Sequence, residues 1–261
     1  MLRVVGSLLF WGFIAVSSAL LFPIAVAIRV LTTPFDRRLV VLHRFTCAWA
    51  SLYTWCNPLW RVTVHGRKRV RPGVAYVMIA NHRSFVDILV LFRLFVHFKW
   101  VSKIEMFKIP AIGWNMWLNR YVALRRGDRA SIAQMMKASE RTLRQGSSLM
   151  IFPEGTRSAD GRLKAFKPGA FTLAKQCRVP ILPIVVEGTA EALPKHGFVL
   201  RGRHRIRLRV LPAIPPSAFE HLSVEELTAR VHALYAEELG EPTAPAAHPV
   251  DRTHEPVGAP A

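Results

Sequence analysis

The sequence predicts an α/β fold, a mostly parallel sheet flanked by helices, preceded by an apolar pair of helices. Apolar segments of strand length at 74–80, 149–152 and 181–186 alternate with segments whose apolar residues recur at helical spacing. This alternation is typical of a parallel sheet covered on both faces. Residues 4–28 carry no charged side chain. This segment is long enough for a helix that crosses or lies in a bilayer. The 261 residues suffice for one core with appendages.

Residues 1–60 are predicted to form a helical hairpin that docks on a membrane. The first apolar helix covers 4–31, and a second, rich in Trp, Leu and Cys, covers 38–58 and ends at Asn57-Pro58. The charged residues around their junction are mainly arginines, namely Arg29, Arg37, Arg38 and Arg44. Such a cluster favours the cytoplasmic side of a membrane.

A cleaved signal peptide is the alternative for this segment, with Arg3 as its basic start and Ala25–Ala27 as its cleavage site. The apolar run is longer than the usual hydrophobic region of a signal peptide, and a second apolar and aromatic stretch over 45–60 follows closely. The membrane-docked form is therefore favoured.

The α/β domain is predicted over 61–240. Strands are expected at 62–64, 74–80, 98–101, 121–124, 149–152, 181–186 and 201–210. Helices are expected at 85–96, from a cap at Asp128 to a stop at Gly146, at 170–176, and from the capping box Ser223-Val-Glu-Glu226 to 239. Residues 241–261 are rich in Pro, Ala and His and are predicted to be disordered.

The charge balance predicts an anionic partner. Lys plus Arg number 36 against 17 Asp plus Glu, a formal charge of +19, and the mean hydropathy is positive. The apolar N-terminus favours anionic lipid over nucleic acid. Every second residue over 203–209 is basic, which we interpret as the solvated face of an edge strand, with contact to lipid headgroups or an anionic donor as the alternative. The three cysteines lack metal or disulfide spacing and are expected to be reduced thiols.

The stretch NHRSFVDIL, residues 81–89, follows the strand at 74–80. If Ser84 is the N-cap of the next helix, Asp87 in the first turn points back toward His82. A carboxylate in that position holds an imidazole in one tautomer and stabilises its protonated form, as a general base requires. The chain has no G-x-S-x-G elbow, so the nucleophile would belong to the substrate. A surface histidine beside a helix cap is the alternative from these residues alone.

Two further groups of residues are suited to an anion. The loop Phe152-Pro-Glu-Gly-Thr-Arg-Ser158 follows a strand, and within it Gly155 allows positive φ while Arg157 offers a planar fork for phosphate or carboxylate. An ordinary turn is the alternative. Arg125 and Arg126 follow the strand at 121–124, at the carboxyl edge of the sheet where α/β folds bind ligands.

These motifs together resemble those of a known family. Asn81-His82-x4-Asp87, the arginine after 121–124, Phe152-Pro-Glu-Gly-Thr-Arg157 and Val179-Pro-Ile-Leu-Pro183 stand in the order and at the spacings of the four motifs of the glycerolipid acyltransferases. The chain resembles most closely the 1-acylglycerol-3-phosphate acyltransferase family, over about residues 60–215.

The resemblance implies roles for individual residues. His82 is implied as the general base and Asp87 as its partner, while Arg126 and Arg157 are implied as ligands of the acceptor phosphate. The acceptor loop would include Glu154, Gly155 and Thr156. Arg125 stands where family members often carry an acidic residue, so either Arg125 or Arg126 could bind the phosphate. We expect a backbone N–H between His82 and Ser84 to stabilise the oxyanion.

The resemblance also implies a reaction. A fatty acyl group passes from acyl-CoA or acyl-acyl carrier protein to the free hydroxyl of 1-acylglycerol 3-phosphate, making phosphatidic acid in phospholipid biosynthesis without a metal or cofactor. Two alternatives stay open: the same chemistry on another lysolipid such as lyso-ornithine lipid, and a non-enzymatic basic module that binds anionic membrane or nucleic acid. The expected partners are the thioester donor, a lysophospholipid acceptor and anionic membrane lipids, with no nucleic acid. The active site is expected on the cytoplasmic face of a membrane, the bacterial inner membrane.

Overall fold

The computed structural model describes residues 1–195 and 197–242, and within them seven strands form one sheet. The strands are β1 (Trp60–His65), β2 (Val77–Ala80), β3 (Phe98–Lys103), β4 (Val122–Leu124), β5 (Ser148–Ile151), β6 (Ile181–Glu187) and β7 (His204–Val210). Their order is β1-β7-β6-β2-β5-β3-β4. Neighbouring strands are parallel except β6 and β7. The predicted mostly parallel sheet is confirmed.

Helices cover both faces of this sheet. They are α1 (Leu2–Thr32), α2 (Val40–Trp55), α3 (Val86–Leu91), α4 (Ile112–Leu118), α5 (Arg129–Arg144), α6 (Gly169–Cys177), α7 (Thr189–Ala192) and α8 (Val224–Leu239). On the central strand β2, Met78 packs in a cluster with α2 and α3, whereas Val77 and Ile79 pack with α5, α6 and α8. Alternate residues of a strand point to opposite faces, so β2 is buried on both sides.

Two predicted helix starts are confirmed by their capping bonds. The Asp128 side chain accepts the N–H of Ser131 at 3.0 Å before α5. Before α8, Ser223 and Glu226 form both bonds of a capping box. The predicted helix over 85–96 is shorter than expected, because α3 ends at Leu91 and a 3-10 turn follows. The short helices α4 and α7 were not predicted, since each contains too few residues to show a helical period.

The N-terminal helix α1 is long and apolar enough to cross a membrane, the one such helix in the described part of the chain. Most of its surface is exposed, including the large side chains of Leu9, Val16 and Leu20. Its other side contacts α2 through the Ser18 hydroxyl, which lies 3.0 Å from the Tyr53 hydroxyl. A mostly exposed apolar helix is typical of a segment that meets lipid rather than a protein core.

The second helix, α2, packs against the α/β core. Its residues Leu42, Cys47 and Trp49 are buried in the same apolar cluster as Met78 of the sheet. The exposed apolar face near the N-terminus therefore belongs to α1, and joint membrane docking by both helices stays a prediction. The predicted division at 60 and 240 also stays a prediction, and of the tail predicted to be disordered, 243–261 lie outside the described residues.

The prediction that the basic strand lies at a sheet edge is wrong. β7 pairs with β1 on one side and β6 on the other, for example Trp60 with His204 and Val186 with Leu208. Arg205 and Arg207 are exposed on its solvent face, while Ile206, Leu208 and Val210 on the other face are buried. An alternating pattern reports which faces of a strand meet solvent and carries no information about its neighbours in the sheet.

Candidate active site

The turn after β2 brings His82 and Asp87 together. The Nδ1 atom of His82 lies 2.9 Å from Oδ2 of Asp87, which is fully buried. Because a carboxylate oxygen only accepts, Nδ1 carries the hydrogen, and Nε2 keeps the lone pair that a base needs. The same Oδ2 accepts the backbone N–H groups of Arg83 at 2.7 Å and Ser84 at 2.8 Å. The Thr189 hydroxyl donates to Oδ1, so four donors hold the carboxylate in place.

Residues on either side of His82 attach this turn to the sheet. Asn81 bonds both backbone groups of Val186 on β6, each at 2.8 Å. The Ser84 hydroxyl accepts the N–H of Val86 at 3.2 Å and donates to the Leu193 carbonyl at 2.6 Å. The helix α3 begins at Val86 with Phe85 in the N-cap position, one residue later than predicted, although Asp87 still reaches back to the Ser84 N–H as a capping carboxylate does.

The imidazole of His82 is held by an aromatic ring as well as by the carboxylate. It stacks on Phe152 with ring centroids 3.8 Å apart and planes 8° apart. Trp100 lies behind Phe152, with a centroid distance of 5.3 Å. Contacts on its face and at Nδ1 limit rotation of the ring, which preorganises Nε2 for proton transfer.

Glu154 links the loop after β5 to the turn after β2. Its Oε1 accepts the backbone N–H of His82 at 2.6 Å, and its Oε2 accepts that of Lys164 at 3.1 Å. Burial raises the pKa of this carboxyl to about 7, against the two N–H bonds and the nearby Arg83 charge, which lower it. Glu154 was predicted among the acceptor-binding residues, and both of its oxygens are used here to position backbone.

The rest of the same loop runs beside His82. Gly155 adopts φ +70°, a backbone conformation that favours glycine. Thr156 and Arg157 follow and are half-buried. The N–H of Ser158 then donates to the His82 carbonyl at 2.9 Å. Within the described residues Arg157 forms no ion pair, so its guanidinium is available for an anion.

The two arginines after β4 lie farther away. Arg125 and Arg126 are at the carboxyl edge of the sheet, as predicted, and both are exposed. Their strand is three positions from β2 in the sheet order, roughly 14 Å at the usual strand spacing. The backbone N–H of Arg125 bonds the Ser131 hydroxyl at 2.8 Å, which joins this end of β4 to α5.

The expectation that a backbone N–H between His82 and Ser84 stabilises the oxyanion is wrong. The N–H groups of His82, Arg83 and Ser84 all donate within the protein, the first to Glu154 and the other two to Asp87. A buried turn must satisfy its own backbone donors, and carboxylates meet that need here. The donor for an oxyanion must therefore come from outside these three residues.

Two residues of the site were not predicted. Thr189 follows β6, which neighbours β2, so the rule that parallel strands deliver their residues at one edge could have found it. Glu241 is just beyond α8. It pairs with the Arg83 guanidinium and accepts the Leu163 N–H at 2.6 Å, and no local sequence signal marks it. In the described ranges, no group of three or more His, Cys, Asp or Glu side chains could hold a metal ion.

The segment that contains this site is similar to known proteins. Residues 61–187 match the family model described as Acyltransferase. The chain is 33% identical over 219 residues to a 1-acyl-sn-glycerol-3-phosphate acyltransferase of Chlamydomonas reinhardtii, a match that covers 83% of this chain and 65% of that protein. It is 36% identical over 157 residues to one of Saccharomyces cerevisiae, covering 58% of this chain and 50% of that protein. The chain thus spans between half and two thirds of the length of these relatives.

A solved structure shows the same fold. The crystal structure of the 1-acyl-sn-glycerophosphate (LPA) acyltransferase PlsC from Thermotoga maritima aligns with a TM-score of 0.72 at 22% identity, covering 93% of this chain and all of that chain. The bonded His82 and Asp87 lie within the segment matched by the family model. The chain therefore resembles the acyltransferase family and, within it, the 1-acyl-sn-glycerol-3-phosphate acyltransferases.

Proposed function

We propose that this chain transfers a fatty acyl group from an acyl thioester to the free hydroxyl of 1-acylglycerol 3-phosphate, making phosphatidic acid for phospholipid biosynthesis. The observation that carries the proposal is the buried His82–Asp87 pair, bonded through Glu154 to the loop that bears Arg157. Relatives named for this activity support the choice of acceptor.

The chemistry assigned to His82 is a proton relay. Its Nε2 takes the proton of the acceptor hydroxyl as the oxygen attacks the thioester carbonyl. The tetrahedral intermediate then collapses, the C–S bond breaks, and the imidazolium returns the proton to the leaving thiolate. Asp87 stabilises the imidazolium. General-base catalysis contributes about 10²- to 10⁴-fold, so positioning of the two substrates must supply much of the remaining rate.

Arg157 is our candidate for the acceptor phosphate. It is half-buried, on a loop bonded to the backbone of His82, and its planar fork suits a phosphate. The loop residues Glu154, Gly155 and Thr156 would shape the acceptor site. Arg126 or Arg125, at the same edge of the sheet, would add a second positive charge.

A cavity of about 490 Å³ beside this loop suits an anionic donor. Its lining includes Arg3, Lys195 and Arg201 together with Ala159. Ala159 directly follows Ser158, whose N–H bonds the His82 carbonyl. Acyl-CoA and acyl-acyl carrier protein both carry phosphate groups, and three cations in this cavity favour such a donor.

We assign the transfer to residues 61–240 and membrane docking to 1–60. The exposed apolar surface of α1 supports docking, and the arginines beyond its end support a cytoplasmic active site, at the inner membrane of a bacterium. Docking would let an amphiphilic acceptor reach His82 without leaving the bilayer.

Another lysolipid is the second candidate acceptor, favoured by one observation. Arg125 adds a basic side chain beside Arg126 and makes this edge of the site more cationic. A lysolipid with a different headgroup, such as lyso-ornithine lipid, would meet this surface with the same reaction at His82.

Acyl transfer in lipid nanodiscs tests these candidates. Thiol release from acyl-CoA, and in parallel from acyl-acyl carrier protein, would be followed with lysophosphatidate, lyso-ornithine lipid or lysophosphatidylcholine. His82→Ala is expected to abolish release, and His65→Ala, an exposed histidine at the end of β1, is the matched control. Preference for lyso-ornithine lipid would keep the reaction at His82 and replace lysophosphatidate as the assigned acceptor. No release with any pair would overturn the proposed function.

A further inference from the structure

A second basic cavity lies at the opposite edge of the sheet from the candidate active site. It measures about 510 Å³, and four arginines line it, namely Arg29, Arg37, Arg38 and Arg120. We call it the arginine cavity. These residues come from the last turns of α1, from the segment before α2 and from the turn two residues before β4, so only the tertiary fold assembles them.

The position of the arginine cavity separates it from the reaction. Arg120 precedes β4 and the lining residue Gln145 precedes β5, so the cavity is at the amino edge of the sheet. His82 and the loop after β5 are at the carboxyl edge. The four residues of β5 span about 13 Å between the two edges.

The charge of the arginine cavity is largely uncompensated. Four guanidinium groups face one carboxylate, Asp36, which leaves a formal charge of +3. Oδ2 of Asp36 accepts the N–H of Val41 at 2.7 Å, at the start of α2. Among the residues that the structure describes, none of the four arginines forms an ion pair within 4.0 Å. Converging cations without carboxylate partners are typical of an anion site.

The fold constrains two of these arginines. Arg38 donates from Nη1 to the Gly146 carbonyl at 3.0 Å, which connects the segment before α2 to the core. Arg120 adopts φ +52°, a conformation that is unfavourable for a residue with a side chain and that surrounding structure must maintain. The arginine cavity is thus built from constrained residues on two sides.

Large apolar side chains beside the arginine cavity indicate where its ligand resides. Leu31 and Phe35 are each 72% exposed, and each is two residues in sequence from an arginine of the cavity, Arg29 and Arg37 respectively. Apolar side chains that flank arginines at the end of an apolar helix suit the boundary between acyl chains and headgroups. Arginine binds phosphate through paired N–H groups. We propose that the arginine cavity binds the phosphoryl headgroup of an anionic membrane lipid.

Vesicle binding of the full chain, with no acyl donor present, tests this proposal. Affinity would be measured for vesicles of phosphatidylcholine alone and for vesicles that also contain phosphatidate. Arg37→Gln with Arg120→Gln is expected to lower affinity for the phosphatidate vesicles by about tenfold or more, with binding to phosphatidylcholine unchanged. The unchanged binding and the far-ultraviolet circular dichroism spectrum would show that the variant is folded.

The matched control removes two exposed arginines elsewhere, Arg141→Gln with Arg230→Gln. An equal loss in this control would mean diffuse surface charge and would overturn the proposal, as would full phosphatidate binding by the first variant. Inorganic phosphate and 3′,5′-ADP would be added as competitors. If either abolishes the phosphatidate preference at its ordinary cellular concentration, the cavity takes a free phosphate and the lipid proposal fails. Because no turnover is measured, failure of acyl transfer would not affect this result.

Discussion

The carboxylate of Glu154 accepts the backbone N–H of His82 at 2.6 Å, so the loop after β5 is bonded to the turn after β2. The Ser158 N–H returns a second bond to the His82 carbonyl at 2.9 Å. Both backbone groups of the candidate base are therefore held by the loop that carries the candidate phosphate ligand. Movement of one of these segments must disturb the other.

The stability of the protein should depend on pH through Glu154. Burial raises its pKa from 4.5 to about 7, so the folded state keeps a proton that the unfolded state releases. Between pH 4.5 and about 7 this group therefore lowers stability as pH rises, by about 3 kcal/mol in full. Glu154→Gln removes this loss. The thermal midpoint of the variant minus that of the parent, measured in mild detergent, should therefore increase from pH 5 to pH 8. Glu220→Gln, at an exposed carboxylate, is the control. A constant difference for Glu154→Gln would contradict the assignment.

Asp87→Asn should lower kcat while leaving KM for the acceptor nearly unchanged. An asparagine keeps the shape of the side chain but lacks the charge that stabilises the His82 imidazolium, so we expect a loss of about 10²-fold or more. Steady-state thiol release measures it. Asp128→Asn is the matched control, because asparagine caps a helix as well as aspartate does and activity should persist. Wild-type kcat in the Asp87 variant would remove this pair from the mechanism.

Arg157→Ala should raise KM for lysophosphatidate. A charge-assisted bond contributes about 1.5–3 kcal/mol, which corresponds to a rise of about 10- to 100-fold. Arg157→Lys keeps the charge but loses the planar fork, so its KM should lie between that of the parent and that of Arg157→Ala. Arg141→Ala, an exposed arginine on α5, should leave KM unchanged. The interpretation fails if Arg157→Ala leaves KM for lysophosphatidate unchanged and raises KM only for acceptors that lack a phosphate.

The ion pair between Arg83 and Glu241 should couple the end of α8 to the candidate site. Glu241 also accepts the Leu163 N–H at 2.6 Å, so its loss would loosen the loop after β5. We expect Arg83→Gln and Glu241→Gln to be non-additive in the free energy of unfolding, with a coupling of about 0.5–2 kcal/mol. The control is a second double-mutant cycle in which Arg83→Gln is combined with Glu237→Gln, at an exposed residue of α8. This cycle should show no coupling. Additive effects in the first cycle would show that the contact does not stabilise the fold.

The exposed face of α1 should determine membrane affinity. Leu9→Glu with Leu20→Glu places two charges on this face, each of which opposes burial in lipid by about 2.5 kcal/mol or more. Binding to phosphatidylcholine vesicles should fall by more than about 10²-fold. Ile132→Glu, at an exposed apolar residue of α5, is the control and should bind normally. Retained vesicle binding by the α1 variant would mean that another surface docks.

Much of the candidate site is local in sequence and could be predicted from it. His82 and Asp87 are five residues apart, so the turn alone brings them close, and the carboxyl-edge rule places Arg125 and the loop from Glu154 to Arg157 on the same side of the sheet. The roles given to these residues beyond their geometry remain predictions. The oxyanion donor was assigned wrongly because the sequence does not show where a backbone N–H donates.

What the sequence determined by itself is the class of fold, the apolar first helix and the pairing of an imidazole with a carboxylate, because helical and strand periods and short spacings are properties of local chain geometry. Only the tertiary structure decided that β7 lies inside the sheet, that Thr189 and Glu241 join the site, and that Arg120 meets Arg29 and Arg37 across the amino edge. These contacts join residues far apart in the chain. Their geometry depends on how the helices and strands pack against one another, which no local pattern encodes.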